Sequence, residues 1–248
     1  MKKLVQNHTI PCYDTDASWR LKPASFMNMA QEAAVMHASH LGFGYDDLIV
    51  NNTAWILSRV NVRFLDTPKW RDEVILTTWH KGLERLFFLR DFLLTDKDGR
   101  ELIKATTSWL VLNLETRRLV RDPQLTDEGT VCSENVIETP AAKVVMPRDA
   151  EPEHVMDHVV AYSDVDTNAH ANNAMYMQWA MDAVDYETAS TRPVKEFTIN
   201  FNHEVKPQEE VELYRVFVEE ENALRVYIEG KVQDQSAFIV EIIFNPQA

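Results

Sequence analysis

Residues 164–173 read Asp164-Val165-Asp166-Thr167-Asn168-Ala169-His170-Ala171-Asn172-Asn173. Apolar residues then recur with helical spacing on one face, at Tyr176, Trp179, Ala180, Ala183 and Val184. A polar, turn-prone run before such a face marks a helix N-terminus, here with Asn172 or Asn173 as the cap. The unpaired N–H groups and positive dipole end of a helix N-terminus can stabilise an oxyanion. The stretch therefore predicts a helix that begins beside an acid/base pair and an oxyanion site.

Four side chains in this stretch are capable of chemistry: Asp166, Asn168, His170 and Asn173. Asp, Asn and His are also common in turns and at helix caps, so Asx-turns alone explain the same residues without any catalysis. The stretch by itself leaves both interpretations open.

The composition is that of a globular protein. The chain has 248 residues, 45% of them hydrophobic, which is enough for one large domain or two small ones. It has no run of about 18 apolar residues, and its polar beginning lacks the apolar region of a signal peptide. Cys12 and Cys132 have no metal-ligand spacing and suit a reducing compartment. We therefore expect a cytoplasmic protein with no membrane span and no metal.

The net charge of −14 is unevenly distributed. Residues 1–150 carry 19 Lys and Arg against 20 Asp and Glu, whereas residues 151–248 carry 6 against 19. A nucleic-acid-binding protein should show the opposite sign. An acidic partner would have to dock on a local basic patch, and the first half is where such a patch can form.

The first half of the chain reads as a helix followed by strands. An edge strand is predicted at 8–13, and a helix is predicted to begin near Pro23 and to end at Gly42. Further strands are predicted at 54–64, 73–82, 86–95 and 102–113. Residues 121–150 contain Pro123 and two other prolines, and we interpret them as a linker.

The second half repeats this plan. Strands are predicted at 155–160, 197–205, 211–219, 223–233 and 236–244, with the helix of the opening stretch after the first of them. Residues 62–74 align with 199–211 without a gap. Such self-similarity predicts two duplicated units, each with one helix that buries its apolar face on an antiparallel sheet.

The two predicted units differ in their polar residues. Glu204 in the second unit aligns with Thr67 in the first, and residues 19–23 before the first helix contain no Asp-x-Asn-x-His pattern. A duplicated fold with one polar site favours the catalytic interpretation over simple capping. The first unit is then expected to serve as a binding wall.

A larger set of motifs resembles the acyl-acyl carrier protein thioesterase family, which includes plant plastid fatty-acyl thioesterases and bacterial relatives. The resemblance is carried by Asp166-x-Asn168-x-His170-x-Asn172-Asn173-x-x-Tyr176-x-x-Trp179, by Phe197-Thr198-Ile199-Asn200-Phe201 running into Glu204, by Trp55, by Ser108-Trp109-Leu110-Val111-Leu112-Asn113, and by Thr116-Arg117-Arg118-Leu119. It covers nearly the whole chain. It implies an α+β double hotdog fold, with an acyl-binding unit at 1–130, a linker at 131–150 and a catalytic unit at 151–248.

The resemblance also implies residue roles. The family's catalytic residues fall on Asp166, Asn168, His170 and Glu204, and plant members often have a Cys where this chain has Val205. That departure rules out a Cys-dependent route at this position. The missing transit peptide and membrane anchor suit a bacterial cytosolic protein. We expect no cofactor, oxyanion binding by backbone N–H groups near Asn172 and Asn173, and substrate contacts from Met29, Ala33 and Trp55.

The expected reaction is hydrolysis of fatty acyl-acyl carrier protein to free fatty acid and holo-carrier protein in fatty acid biosynthesis. We expect Glu204 to act as general base on a water, with help from His170, while Asn168 positions the water and Asp166 orients its neighbours. Covalent attack by Asp166 or Glu204 through an anhydride is the open alternative. An acyl-CoA thioesterase, a dehydratase and a non-catalytic acyl-binding module are the other open functions.

The carrier protein is acidic and is expected to dock on a basic patch, and a homodimer is one open assembly. Nine basic residues are candidates for that patch, although by default most belong to a solvated surface: Arg59, Arg63, Lys69, Arg71, Arg85, Arg90, Arg117, Arg118 and Arg121.

Overall fold

A computed structural model describes residues 2–120, 125 and 127–246 of the chain. Within them, ten strands form one antiparallel sheet. The strands are β1 (Leu4–Thr9), β2 (Thr53–Phe64), β3 (Glu73–Glu84), β4 (Phe87–Asp96), β5 (Glu101–Asn113), β6 (Glu153–Val159), β7 (Val194–Phe201), β8 (Glu210–Glu220), β9 (Ala223–Val232) and β10 (Gln235–Phe244). The helices are α1 (Pro23–His40), α2 (Tyr45–Ile49), α3 (Asn173–Ala183) and α4 (Tyr186–Thr191). None of these helices is long and apolar enough to cross a membrane.

The strand order shows the duplication directly. Across the sheet the order is β1-β3-β4-β5-β2-β7-β10-β9-β8-β6, so each half has the same order when read from its outer edge inward. The halves join where β2 pairs with β7, over the five residue pairs from Arg59–Asn200 to Arg63–Glu196. The predicted α+β double hotdog fold is confirmed.

The two long helices pack on one core. Pro23 is the first residue of α1, where its missing N–H costs nothing because that group has no partner inside a helix. The apolar face predicted for the second helix is buried throughout, and Ala180 has no exposed surface at all. Side chains of α1, α3 and both halves of the sheet form one buried cluster, and the two helices contact each other. The core therefore continues across the junction between the units.

Several predicted boundaries were wrong. β1 lies at Leu4–Thr9 instead of 8–13, because Pro11 has no N–H for the sheet and is followed by a 3-10 turn. β7 ends at Phe201, so Glu204 lies in the loop beyond it. The helix α3 ends at Ala183, and α4 begins separately with Asp185 as its cap.

The predicted linker is fastened to the sheet. Residues 131–150, here called the strap, contain no helix or strand. In the first unit the Cys132 N–H donates to a β3 carbonyl at 2.9 Å, and the Val136 N–H donates to Asp91 Oδ2 at 2.9 Å. In the second unit the Val144 N–H donates to Asn200 Oδ1 at 2.7 Å. The strap thus crosses from one unit to the other. Arg121 and Pro123 lie outside the described residues.

One predicted surface residue is buried. Arg90 on β4 is 5% exposed, and its guanidinium is bonded to His37 Nδ1 on α1 at 2.8 Å and lies 3.3 Å from Thr78 Oγ1. Burial lowers the pKa of Arg90 to about 9. Arg90 points towards α1, so it does not belong to a carrier-docking surface, contrary to the default interpretation. The polar partners that accept a buried arginine could not be predicted from the sequence, because they lie on α1 and β3.

Candidate active site

The loop before α3 is closed by hydrogen bonds of its own backbone. Asp166 Oδ1 accepts the N–H of Asn168 at 2.8 Å, and the Asp166 N–H donates to the His170 carbonyl at 2.9 Å. Ala169 between them has a φ of 60°, in the left-handed region that non-glycine residues seldom adopt. Asp166 therefore forms the Asx-turn that the sequence allowed, and this turn fixes the backbone on both sides of Asn168.

The closed loop brings His170 beside Glu204. His170 Nε2 lies 3.6 Å from Glu204 Oε2, and the two side chains are 30% and 36% exposed. This distance is longer than a direct hydrogen bond, and such contacts commonly tighten only when substrate binds. The Arg117 guanidinium lies 3.5 Å from the same Glu204 oxygen. An imidazole, a carboxylate and a guanidinium thus meet at a surface that substrate can reach.

Two hydrogen bonds to Val205 hold Glu204 in this position. The Val205 N–H donates to Tyr176 Oη on α3 at 3.0 Å, and the Val205 carbonyl accepts the Ala171 N–H at 2.8 Å. Burial raises the pKa of Tyr176 to about 12, so its hydroxyl stays neutral at physiological pH. The residue after Glu204 is therefore tied both to the loop that carries His170 and to the helix behind it.

The N-terminus of α3 lies directly after this loop. Asn172 is the cap, as predicted: its Oδ1 accepts the Ala174 N–H at 2.9 Å. The Asn172 N–H already donates to the Asp164 carbonyl at 2.8 Å, whereas the Asn173 N–H has no acceptor among the described residues. Of the two predicted oxyanion donors, Asn173 is thus the one whose N–H is free to bind a ligand. Its oxyanion role remains a prediction.

A small cavity extends from this end of α3 into the N-terminal unit. It has a volume of about 20 Å³, room for roughly one water. Asn173 and Gln31 line it, and their side chains meet at 3.5 Å. The remaining lining residues are Phe26, Met27, Ala30, Leu57, Val60, Phe92, Ala105, Thr107 and Trp109.

None of the three predicted substrate contacts lines this cavity. Ala33 is fully buried, Met29 packs at the margin of the core, and Trp55 Nε1 donates to the Phe43 carbonyl at 2.9 Å. Their substrate contacts remain predictions, and the cavity needs side-chain movement before an acyl chain fits. Sequence reasoning also missed Arg117 as a partner of Glu204, because 87 residues separate the two and no local pattern links them.

Family models match both halves of the chain. The model described as the acyl-ACP thioesterase N-terminal domain matches residues 1–128, and the model described as the acyl-ACP thioesterase C-terminal domain matches residues 148–246. Together these models cover well over half of the sequence.

Individual relatives agree with the models. The chain is 28% identical to a chloroplastic palmitoyl-acyl carrier protein thioesterase of Gossypium hirsutum, over 80% of this chain and 51% of that protein. It is 29% identical to an Arabidopsis thaliana oleoyl-acyl carrier protein thioesterase, over 75% of this chain and 55% of that one. It thus spans about half the length of the curated relatives it matches.

A solved structure extends the match over the full length. The crystal structure of an acyl-ACP thioesterase from Bacteroides thetaiotaomicron superposes with a TM-score of 0.87 at 26% identity, covering 98% of each chain. The superposition therefore includes both units of the sheet. With its family models, its relatives and its double hotdog architecture in agreement, the chain belongs to the acyl-ACP thioesterase family.

Proposed function

We propose that the protein hydrolyses the thioester of a fatty acyl group on acyl carrier protein, releasing a free fatty acid and holo-carrier protein. The observation that carries this proposal is the approach of His170 Nε2 to Glu204 Oε2 at 3.6 Å beside the N-terminus of α3. Hydrolysis needs a base for water, a donor set for the oxyanion and a proton for the leaving thiolate. The site offers a group for each of these tasks.

In the proposed mechanism Glu204 is the general base. Its carboxylate removes a proton from the attacking water, and His170 beside it shares the proton and passes one to the departing thiolate. The exposed Asn168 amide positions the water or binds the thioester oxygen, while the Asp166 turn holds Asn168 and His170 in register. The free N–H of Asn173 and the α3 dipole support the negative oxygen of the tetrahedral intermediate.

Covalent chemistry at the same site is the rival mechanism. Attack by Glu204 on the thioester would form an anhydride that water then opens. Asp166 is a weaker candidate for that role, because its Oδ1 is occupied by the Asn168 N–H at 2.8 Å. A thiol nucleophile is not available at this site. Val205 occupies the position where plant members of the family often have a Cys, and Cys12 and Cys132 both lie outside the site.

The acyl chain is proposed to enter the N-terminal unit beneath α1, through the small cavity that reaches Asn173. Arg117, exposed at the entrance, offers a cation to the phosphate or acidic surface of the carrier. We further propose fatty acid biosynthesis in the cytoplasm as the setting. Cys12 and Cys132 are both free thiols, which suits a reducing compartment.

Steady-state hydrolysis of matched acyl-carrier-protein and acyl-CoA substrates, at several chain lengths, tests the proposal. We expect the carrier-linked substrates to have the higher kcat/KM, and Glu204→Ala to abolish turnover of both. A preference for acyl-CoA would replace the carrier-specific proposal with a general thioesterase. Acyl binding without turnover of either substrate would favour a binding module.

Isotope labelling detects the anhydride route when water opens the anhydride at the Glu204 carbonyl; opening at the acyl carbonyl puts the label in the fatty acid, as direct hydrolysis does. Hydrolysis in ¹⁸O-labelled water under single-turnover conditions should leave no label in Glu204 if water attacks directly. Label recovered in the Glu204 carboxylate would establish the anhydride route.

A further inference from the structure

The N-terminal copy of the catalytic loop borders a cavity of about 400 Å³. Its wall is formed by that loop, by α3, by α4 and by the start of β7. Neither His170 nor Glu204 lines it. This volume lies within the usual range of sites for small ligands, roughly 300–1,000 Å³.

This cavity is the counterpart, in the second unit, of the small cavity beneath α1. Pro23 at the start of α1 lines the large cavity, and Asn173 at the start of α3 lines the small one. Met181 and Gln31, each eight residues further along those helices, are likewise equivalent. The duplicated fold has therefore formed a chain-sized space at the position where the other unit is proposed to hold its acyl chain.

The polar part of the wall is cationic. Arg20 is paired with Asp16 at 2.8 Å, and the Lys22 ammonium donates to the Tyr13 carbonyl at 3.2 Å. Arg192 and Asp182 are the other charged residues of the wall. Among the described residues, the Arg192 guanidinium has no hydrogen-bond or ion-pair partner. Asp182 is therefore the one acid left to face the unpaired Arg192 guanidinium across this wall. The wall thus has three basic side chains against two acidic ones, and Arg192 is its one basic residue from the acidic second half of the chain.

Most of the rest of the wall is apolar, although Thr67, Gln178 and Ser190 also line it. Leu21, Phe64, Met181, Val184 and Ala189 contribute side chains to it. An apolar space with a cation at its margin matches an amphipathic anion. The hydrocarbon tail of such a ligand leaves water and contacts the apolar wall, and its head group pairs with the guanidinium.

We propose that this cavity is a second ligand site that binds a free fatty acid, with its carboxylate at Arg192 and Lys22 and its chain against the apolar wall. The choice of ligand rests on the proposed function, because a fatty acid is the product of that reaction. A carboxylate fits a forked guanidinium in two parallel hydrogen bonds, and a single unpaired arginine suffices for this. The site would let the protein hold its product away from the catalytic loop.

Binding of [1-¹³C]dodecanoate to the Glu204→Ala protein tests the proposal without any turnover. We expect two bound carboxyl resonances, one from each cavity. Arg192→Gln should weaken the binding that gives one of these resonances by about tenfold. Arg192→Lys should weaken it less, because the charge remains although the fork is lost. Ala189→Trp should remove it by filling the space. Arg148→Gln is the matched control, because Arg148 is exposed and has no partner within the described part of the chain.

The outcomes are distinct. Equal dodecanoate affinity in Arg192→Gln and Arg148→Gln, with unfolding midpoints unchanged, would overturn the proposal. So would a single resonance that Ala189→Trp leaves in place, or displacement of dodecanoate by dodecanol at equal concentration, because a neutral chain has no use for the cations. A protein that binds dodecanoate at Arg192 but hydrolyses no thioester would refute the proposed function and leave this site standing.

Discussion

The loops before α1 and α3 share a backbone and differ in chemistry. Asp16 Oδ1 accepts the Ser18 N–H at 2.8 Å, just as Asp166 Oδ1 accepts the Asn168 N–H at 2.8 Å. The aspartate is thus needed by the turn in both copies, whether or not the copy has a catalytic pair. Asp166 therefore acts first as a structural residue, and what distinguishes the C-terminal copy is the side chains that the turn presents.

Those side chains diverge at two positions. Where the C-terminal copy has His170 facing Glu204, the N-terminal copy has Arg20 and Thr67. Arg20 turns back to its own loop and bonds Asp16 Oδ2 at 2.8 Å. The C-terminal copy thus presents His170 at the surface, whereas in the N-terminal copy the charge of Arg20 is paired with Asp16 of the same loop.

The supports behind the loops have diverged in the same direction. In the C-terminal copy the Val205 N–H donates to Tyr176. At the equivalent positions the N-terminal copy has Pro68, which has no N–H, and Phe26, which has no hydroxyl. Removing both partners of a buried hydrogen bond can be nearly neutral, whereas removing one leaves an unsatisfied group. The N-terminal copy folds without this bond, so the duplicated fold itself does not require it.

The largest effect is expected from Glu204→Thr, which places in the C-terminal copy the residue type found at the equivalent position, Thr67, of the N-terminal copy. We expect kcat/KM to fall about a thousandfold, because a general base contributes roughly 10²–10⁴. The measurement is steady-state hydrolysis of acyl-carrier protein. Glu221→Thr, at an exposed turn position between β8 and β9, is the control. Activity within threefold of wild type would remove Glu204 from the mechanism.

The units should also differ in their response to acid. Burial lowers the pKa of His80 on β3 to about 4, while the equivalent position on β8 is Phe217. Below pH 6.5 the unfolded chain binds a proton that the folded His80 does not, so this group lowers the free energy of unfolding as the pH falls towards 4. Between pH 7 and 5 the loss should be about 2 kcal/mol.

Urea unfolding of wild type and His80→Phe at both pH values measures this difference. The variant should lose less stability on acidification than wild type, although it also forfeits the 2.8 Å contact of His80 Nε2 with the Leu125 carbonyl. Equal losses in the two proteins would mean that His80 does not set the acid response.

The hydrogen bond behind Glu204 can be removed one partner at a time. Tyr176→Phe leaves the Val205 N–H unsatisfied and should cost roughly 1–2 kcal/mol of stability, with kcat lowered severalfold as Glu204 loses its anchor. Adding Val205→Pro recreates the N-terminal pairing and should recover part of the stability but none of the activity. Tyr162→Phe, at a fully exposed tyrosine, is the control. Full activity in Tyr176→Phe would contradict the anchoring role.

The smallest expected effect belongs to Arg117→Gln. Arg117 and Glu204 are 59% and 36% exposed, and exposed ion pairs contribute about 0–1 kcal/mol. We expect kcat/KM for acyl-carrier protein to fall two- to fivefold, with the difference shrinking at high salt because the charges are screened. Arg148→Gln, at an exposed arginine outside the candidate docking patch, is the control. A salt-independent loss would indicate a packing role instead.

Much of the architecture follows from the sequence because it depends on periodicity. The apolar face from Tyr176 to Val184, the alternating strands and the gapless repeat each reflect local spacing, and all three are found in the fold. The ends of elements were less predictable, since they depend on contacts with distant residues. The end of β7 at Phe201 is an example, because the chain beyond it is held by α3 and the loop through Val205.

The site was predictable to a similar degree. His170 and Glu204 were singled out by motif and by comparison of the repeats, and the structure places them together. Arg117 and the cavity lining were not, because β-strand pairing brings together residues that are remote along the chain. Arg90 was misjudged for the related reason that only the fold supplies His37 as its partner.

The strap lowers the free energy that contacts between the two units must supply to keep them together. When two separate chains associate, their contacts must offset the loss of translational entropy, and stable interfaces commonly bury well over 1,000 Å². Here the strap is pinned to the first unit at Val136 and to the second at Val144, so only a short span of chain is free between them. That tether gives each unit a high effective concentration at the other. Five residue pairs between β2 and β7, the contact of α1 with α3 and the shared core then hold the sheet continuous.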